Sequence, residues 1–142
     1  MPGHLPEMDF GFRRGMPTVE LRSDAAPEAV WDVITDLDTW PQWGPTVSGA
    51  ELDEAGALHL GSQGRVFTPV GVALPFTITE FRPRRCWAWK VAGVGATRHE
   101  VIAENGGSRI VFGVPWWATA YLPVCAIALP RIARLASART TR

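Results

Sequence analysis

The stretch that decides the fold is Ile78-Thr79-Glu80-Phe81-Arg82-Pro83-Arg84-Arg85-Cys86-Trp87-Ala88-Trp89-Lys90-Val91-Ala92-Gly93-Val94-Gly95-Ala96-Thr97-Arg98-His99-Glu100-Val101-Ile102. Trp87, Trp89 and Val91 share one face of a strand opposite Cys86, Ala88 and Lys90, and Thr97, His99 and Val101 oppose Arg98, Glu100 and Ile102. Side chains of a strand point alternately to its two faces, so these are two half-buried strands joined by the Gly93 to Gly95 loop. Further turn signals lie at Glu54 to Ala57, Pro69 to Gly71, Arg82 to Arg85 and Asn105 to Gly107, and Ile110, Phe112 and Val114 give a last strand its apolar face. Short strands with links this short form an antiparallel meander, from Val47 to Val114.

Upstream, Thr18 to Ser23 alternates in the same way, with Val19 and Leu21 on one side. A helix follows from Ala25 to Leu37: Pro27 suits its first position, Glu28 favours its N-terminus, and Val30, Val33, Ile34 and Leu37 form one apolar stripe. The run Trp40-Pro41-Gln42-Trp43-Gly44-Pro45 stops it. Residues 1–17 hold three Pro and three Gly without sustained periodicity, which predicts a tail or loosely docked arm ahead of one domain over 18–142. Residues 116 to about 137 are helical by composition. Strand, helix, long meander and final helix make an α+β domain, in which a curved sheet wraps the last helix around either packed side chains or a cavity.

The composition is compatible with that plan. In 142 residues, 46% are hydrophobic and 20% charged, enough for one core without disulfides or metal, and 14 Lys+Arg balance 14 Asp+Glu. Disorder and strong nucleic-acid affinity are disfavoured. The balance hides an asymmetry: residues 1–104 carry nine basic and 14 acidic side chains, and residues 105–142 carry five Arg and no acid. Cys86 and Cys125 do not make a disulfide framework and are expected to be reduced and buried. Met1 to Gly15 has no apolar run that would serve as a signal peptide, so the expected compartment is the cytoplasm. Val114 to Pro130 is uncharged and followed by Arg131, Arg134, Arg139 and Arg142, but Pro115, Pro123 and Pro130 interrupt it. A core helix over the sheet is the leading expectation, with peripheral contact to an anionic membrane as the alternative.

Catalytic signatures are mostly missing. Gly93-Val94-Gly95 starts like a dinucleotide fingerprint, but Arg98 stands where the third Gly belongs and no helix follows. His99-Glu100-Val101-Ile102-Ala103 starts like a zincin motif but has Ala103 in place of the second His. His4, His59 and His99 are far apart in sequence, and neither a nucleophile elbow nor a Walker sequence occurs. No cofactor and no metal is predicted.

The chain resembles the START-like helix-grip superfamily, in its polyketide cyclase/dehydrase and lipid-transport branch (SRPBCC-type). The resemblance rests on Ala25-Ala26-Pro27-Glu28-Ala29-Val30-Trp31-Asp32-Val33-Ile34-Thr35-Asp36, Trp40-Pro41-Gln42-Trp43, Gly61-Ser62-Gln63-Gly64-Arg65-Val66, Ile78 to Trp89, and Gly107-Ser108-Arg109-Ile110. It covers about residues 18–138. It implies a curved seven-stranded antiparallel sheet around a long C-terminal helix, two short helices after the first strand, and a hydrophobic cavity for lipids, sterols or polyketides. The fold hosts carriers, cyclases, hydrolase-like members and regulators, so a carrier or sensor role and an aromatase/cyclase or dehydratase-like role both stay open. Two departures stand out: Ala26 occupies a capping position often filled by Ser or Thr, which should cost about 1 kcal/mol of helix stability, and Pro123 and Pro130 predict a late start or a kink in the last helix.

The site expectations follow from face assignment. Trp31, Trp40 and Trp43 are expected to pack the helix–sheet junction. The expected ligand contacts are Val66, Thr68, Phe76, Ile78, Trp87, Trp89, Val91, Thr97, His99, Val101, Phe112, Tyr121 and Cys125. His99 and Tyr121 are the candidates for general acid–base work if the protein is an enzyme. Arg98, Glu100, Glu80 and Arg65 are expected on the solvent side. The predicted partner is a hydrophobic small molecule; a basic helix docking on a membrane or protein is the third alternative, and both monomer and homodimer stay open.

Overall fold

The computed structural model describes residues 8–140. One antiparallel sheet holds eight strands: β1 (Met8–Arg13), β2 (Met16–Ser23), β3 (Gly49–Leu52), β4 (Gln63–Phe67), β5 (Ala73–Arg82), β6 (Cys86–Val91), β7 (Val94–Glu104) and β8 (Gly107–Gly113). Their spatial order is β1-β2-β8-β7-β6-β5-β4-β3, so the meander runs unbroken from β3 to β8 and the first hairpin joins its far edge through β2. Helices α1 (Pro27–Thr35) and α2 (Trp40–Trp43) follow β2, and α3 (Leu122–Thr140) is the last element of the described residues.

The strand beyond the expected seven is β1, inside the segment predicted to be a tail. Arg14 and Gly15 both have positive φ, 54° and 75°. That is the two-residue hairpin geometry that matches strand twist, so Met8–Arg13 folds back onto Met16 to Leu21. Residues 1–7 lie outside the described residues.

Helix α1 has no side-chain cap at Ala26, as its sequence implies. Ser23 Oγ instead accepts from the Ala25 N–H at 3.0 Å, and Ser108 Oγ donates to the Ala25 carbonyl at 2.9 Å, which ties the helix entrance to β8. Val30, Trp31, Val33 and Ile34 are buried. At the other end, Trp116–Tyr121 forms a 3-10 segment with non-helical backbone at Ala118, and the α-helix begins only at Leu122. Pro123 explains the late start: in a first turn its missing N–H leaves nothing unsatisfied. Leu122, Cys125, Leu129, Ile132 and Ala136 recur at helical spacing and are buried, and α3 packs on α1, α2 and β2. Trp116–Arg139 is long and apolar enough by composition to cross a membrane, yet this buried stripe is spent on the domain core.

Gly64 shows how closely β4 and β5 approach. A Cβ there would lie 2.9 Å from Cζ of Phe76 and would also strike the Glu51 carbonyl, so only glycine lets the Phe76 ring lie across the strand.

The convex face carries ion pairs. Arg98 donates from Nε to Glu80 Oε1 and from Nη1 to Glu100 Oε1, both at 2.9 Å, and from Nη2 to Cys86 Sγ at 3.2 Å. The hydrogen bond from Arg98 holds the Glu80 carboxyl below its ordinary range, against the opposing effect of burial. Arg98 and Glu100 lie on the face opposite the cavity, but each is only 8% exposed, so neither is the solvated side chain the sequence suggested. Arg65 is exposed and pairs with Glu51 across β3 and β4.

Candidate ligand cavity

A cavity of about 360 Å³ lies between the concave face of the sheet, α2 with the loop after it, and the start of α3. Strand alternation aims Val66, Trp87, Trp89, Val91, Thr97, His99 and Phe112 into it, joined by Thr68 and Leu74. The loop after α2 contributes Thr46 and Val47, while Tyr121, Val124, Cys125 and Ala128 project from the last helical segment at i, i+3, i+4 and i+7 spacing. Five of the seven tryptophans line it: Trp40, Trp43, Trp87, Trp89 and Trp117. Among the described residues no Asp, Glu, Lys or Arg does.

Of the expected contacts, Val66, Thr68, Trp87, Trp89, Val91, Thr97, His99, Phe112, Tyr121 and Cys125 line the cavity. Phe76, Ile78 and Val101 do not; they are core residues at 2%, 1% and 1% exposure. Alternation assigns a face but not a position along it. Phe76 packs against Trp40 and Trp89 at ring separations of 5.8 and 5.4 Å, Ile78 sits at a bulge in the β5–β6 pairing, and Val101 lies on β7 paired with Ile110, the two strands that α1 also packs against. Trp40 and Trp43 pack the junction as predicted and form cavity wall as well. Leu74 has the parity of Phe76 and Ile78 on β5, whereas Thr46 and Val47 carry no periodic signal. Val124 and Ala128 do, being in step with Tyr121 and Cys125.

The deep wall is a ring stack. Trp87 lies nearly parallel to Trp40 (centroids 5.3 Å apart, 11° between planes) and to His99 (3.8 Å, 22°), and Phe112 meets His99 edge-on at 4.6 Å. His99 is 2% exposed, and burial pushes its pKa down to about 3, so the imidazole is neutral at neutral pH. One ring nitrogen then carries the proton, and the partners decide which. Nδ1 faces the Trp87 carbonyl oxygen at 3.2 Å, which only accepts, so Nδ1 donates. Nε2 therefore accepts from Thr97 Oγ1 at 3.1 Å, and the same oxygen accepts from Trp89 Nε1 at 2.9 Å. Trp89, Thr97, His99 and the Trp87 carbonyl form one linear chain of hydrogen bonds.

On the open side, the Tyr121 hydroxyl and Thr46 Oγ1 lie 2.6 Å apart. Burial raises the Tyr121 pKa and pushes the Cys125 thiol up to about 12, so both stay protonated and Cys125 is no nucleophile. Trp116 and Trp117 are 76% and 56% exposed. The Trp87 Nε1 donor is buried without a partner. Among the described residues no cluster of His, Cys, Asp or Glu is arranged to hold a metal.

Comparison with known structures extends this picture. NE0264 from Nitrosomonas europaea superposes with a TM-score of 0.66 at 13% identity, over 88% of this chain and 96% of that one. DynU16, from the dynemicin biosynthetic locus, gives 0.60 at 20% identity, over 82% of this chain and 45% of its own. The Aha1 dimer from Colwellia psychrerythraea gives 0.55 at 20% identity, over 76% and 82%. Identities this low establish shared fold alone. No curated protein matches by sequence. The family model for polyketide cyclase/dehydrase and lipid transport matches residues 16–140, which takes in both walls of the cavity, and the chain belongs to that family.

Proposed function

We propose that the protein binds a hydrophobic small molecule in this cavity, as a carrier or sensor of a lipid, sterol or polyketide. The observation that carries the proposal is a cavity of about 360 Å³ with aromatic and aliphatic walls and, among the described residues, no charged side chain. Apolar burial contributes about 25 cal/mol per Å², so a few hundred Å² offset the several kcal/mol lost in immobilising a ligand.

The polar groups favour binding over acid–base catalysis. A general base works best with a pKa near the working pH. His99 has a pKa of about 3, and both its ring nitrogens are engaged within the protein. The cyclase-like alternative, with His99 and Tyr121 as catalytic pair, lacks a group poised to move a proton.

Titration with Nile red, an uncharged solvatochromic dye, tests the proposal. The expected result is saturable one-to-one binding, with blue-shifted dye emission and quenched tryptophan emission. Trp89→Ala should weaken it, because Trp89 lines the cavity and is held there by Thr97. Dye emission that rises without saturation would overturn the proposal.

A further inference from the structure

Taking the cavity as the binding site proposed above, we infer that its ligand is uncharged and carries a hydroxyl or carbonyl oxygen, held on the open side by Thr46 and Tyr121. It is an alcohol, phenol or ketone, neither a carboxylic acid nor an amine. The inference comes from counting which hydrogen-bonding groups on the wall are still free.

The inner groups are committed. Thr97 accepts from Trp89 and donates to His99, and His99 donates to the Trp87 carbonyl. Thr68 closes its own turn, donating to the Val72 carbonyl at 3.1 Å and accepting from the Val72 N–H at 3.2 Å. Trp87 Nε1 is unpaired but fully shielded, so a ligand reaches it only if the ring stack opens. At Thr46 and Tyr121 the inventory differs. One of their two O–H protons bridges them, which leaves the other proton and lone pairs on both oxygens. That pair both donates to and accepts from a neutral oxygen function.

Charged ligands meet no counterpart. A carboxylate entering this wall gives up its hydration, and among the described residues no Arg or Lys lines the cavity to replace it. An ammonium finds no carboxylate. Aromatic faces attract cations in other proteins, but in the deep wall Trp40, Trp87 and His99 turn their faces to one another.

Four pyrene derivatives isolate the head group at constant ring size: pyrene, 1-pyrenemethanol, 1-pyrenecarboxylate and 1-pyrenemethylammonium, titrated at pH 7.5 with energy transfer from tryptophan as the signal. The alcohol is expected to bind at least about tenfold more tightly than either ion. Tyr121→Phe and Thr46→Val should each weaken the alcohol by about two- to tenfold relative to pyrene measured on the same variant. An ion that binds as tightly as the alcohol overturns the inference while leaving the cavity reading intact. So does an alcohol affinity that neither variant alters relative to pyrene. If pyrene and the alcohol both fail to bind, the cavity reading itself fails, and the inference falls with it.

Discussion

Trp87→Ala is expected to lower folding stability by about 3–5 kcal/mol. The residue is 0% exposed and stacks against Trp40 and His99, with Trp89 edge-on at 5.4 Å. Removing the indole strips contacts from each of these rings and opens the wall between core and cavity. Because Trp87 Nε1 has no hydrogen-bond partner, the loss is one of packing alone. Trp87→Phe keeps a ring in the stack and gives up no hydrogen bond, so its cost should be markedly smaller. Urea unfolding followed by far-ultraviolet circular dichroism measures both. A loss under about 1 kcal/mol for the alanine variant would show that the stack contributes little to the core.

The second large effect is a pH dependence set by His99. Unfolded, the imidazole titrates near 6.5; folded, burial depresses it to about 3. Between those values the unfolded chain binds a proton that the folded one refuses. Stability is therefore full above pH 6.5 and falls as the pH drops toward 3, by up to about 1.4 kcal/mol per pH unit. From pH 7 to pH 4.5 the wild type should lose about 2–3 kcal/mol more than His99→Gln does. Stopping at pH 4.5 keeps the titration of Glu20 and Glu80, whose arginine partners hold them below the ordinary range, largely outside the window. Parallel stability profiles for wild type and variant would mean that the imidazole takes up its proton without leaving its place.

How much of this was legible in the sequence depends on the periodicity of each element. The faces of β6, β7 and β8 follow from simple alternation, and Trp87, Trp89, His99 and Phe112 do share the concave side. The amphipathic stripe of α1 was equally plain. The β1 hairpin was not, because its turn uses Arg14 in a left-handed conformation, an uncommon residue there, amid Pro and Gly that suggested a tail. Depth along the sheet was also illegible. Phe76, Ile78 and Val101 have the right parity for ligand contact, but they are packed in the core and do not line the cavity. Strand parity carries no information about which end of a face a helix covers. The pairing of Arg98 with Glu80 joins β7 to β5 across β6, which no local pattern encodes.

The most direct test of the central claim is Nile red titration of a variant whose cavity has been filled. Val124→Phe places a ring in the space from α3 at a half-buried wall position. The expected result is that wild-type protein binds one equivalent of dye saturably, while the filled variant keeps the wild-type melting temperature within a few degrees and loses binding. Undiminished one-to-one binding by a stably folded Val124→Phe protein would place the dye elsewhere and contradict the account.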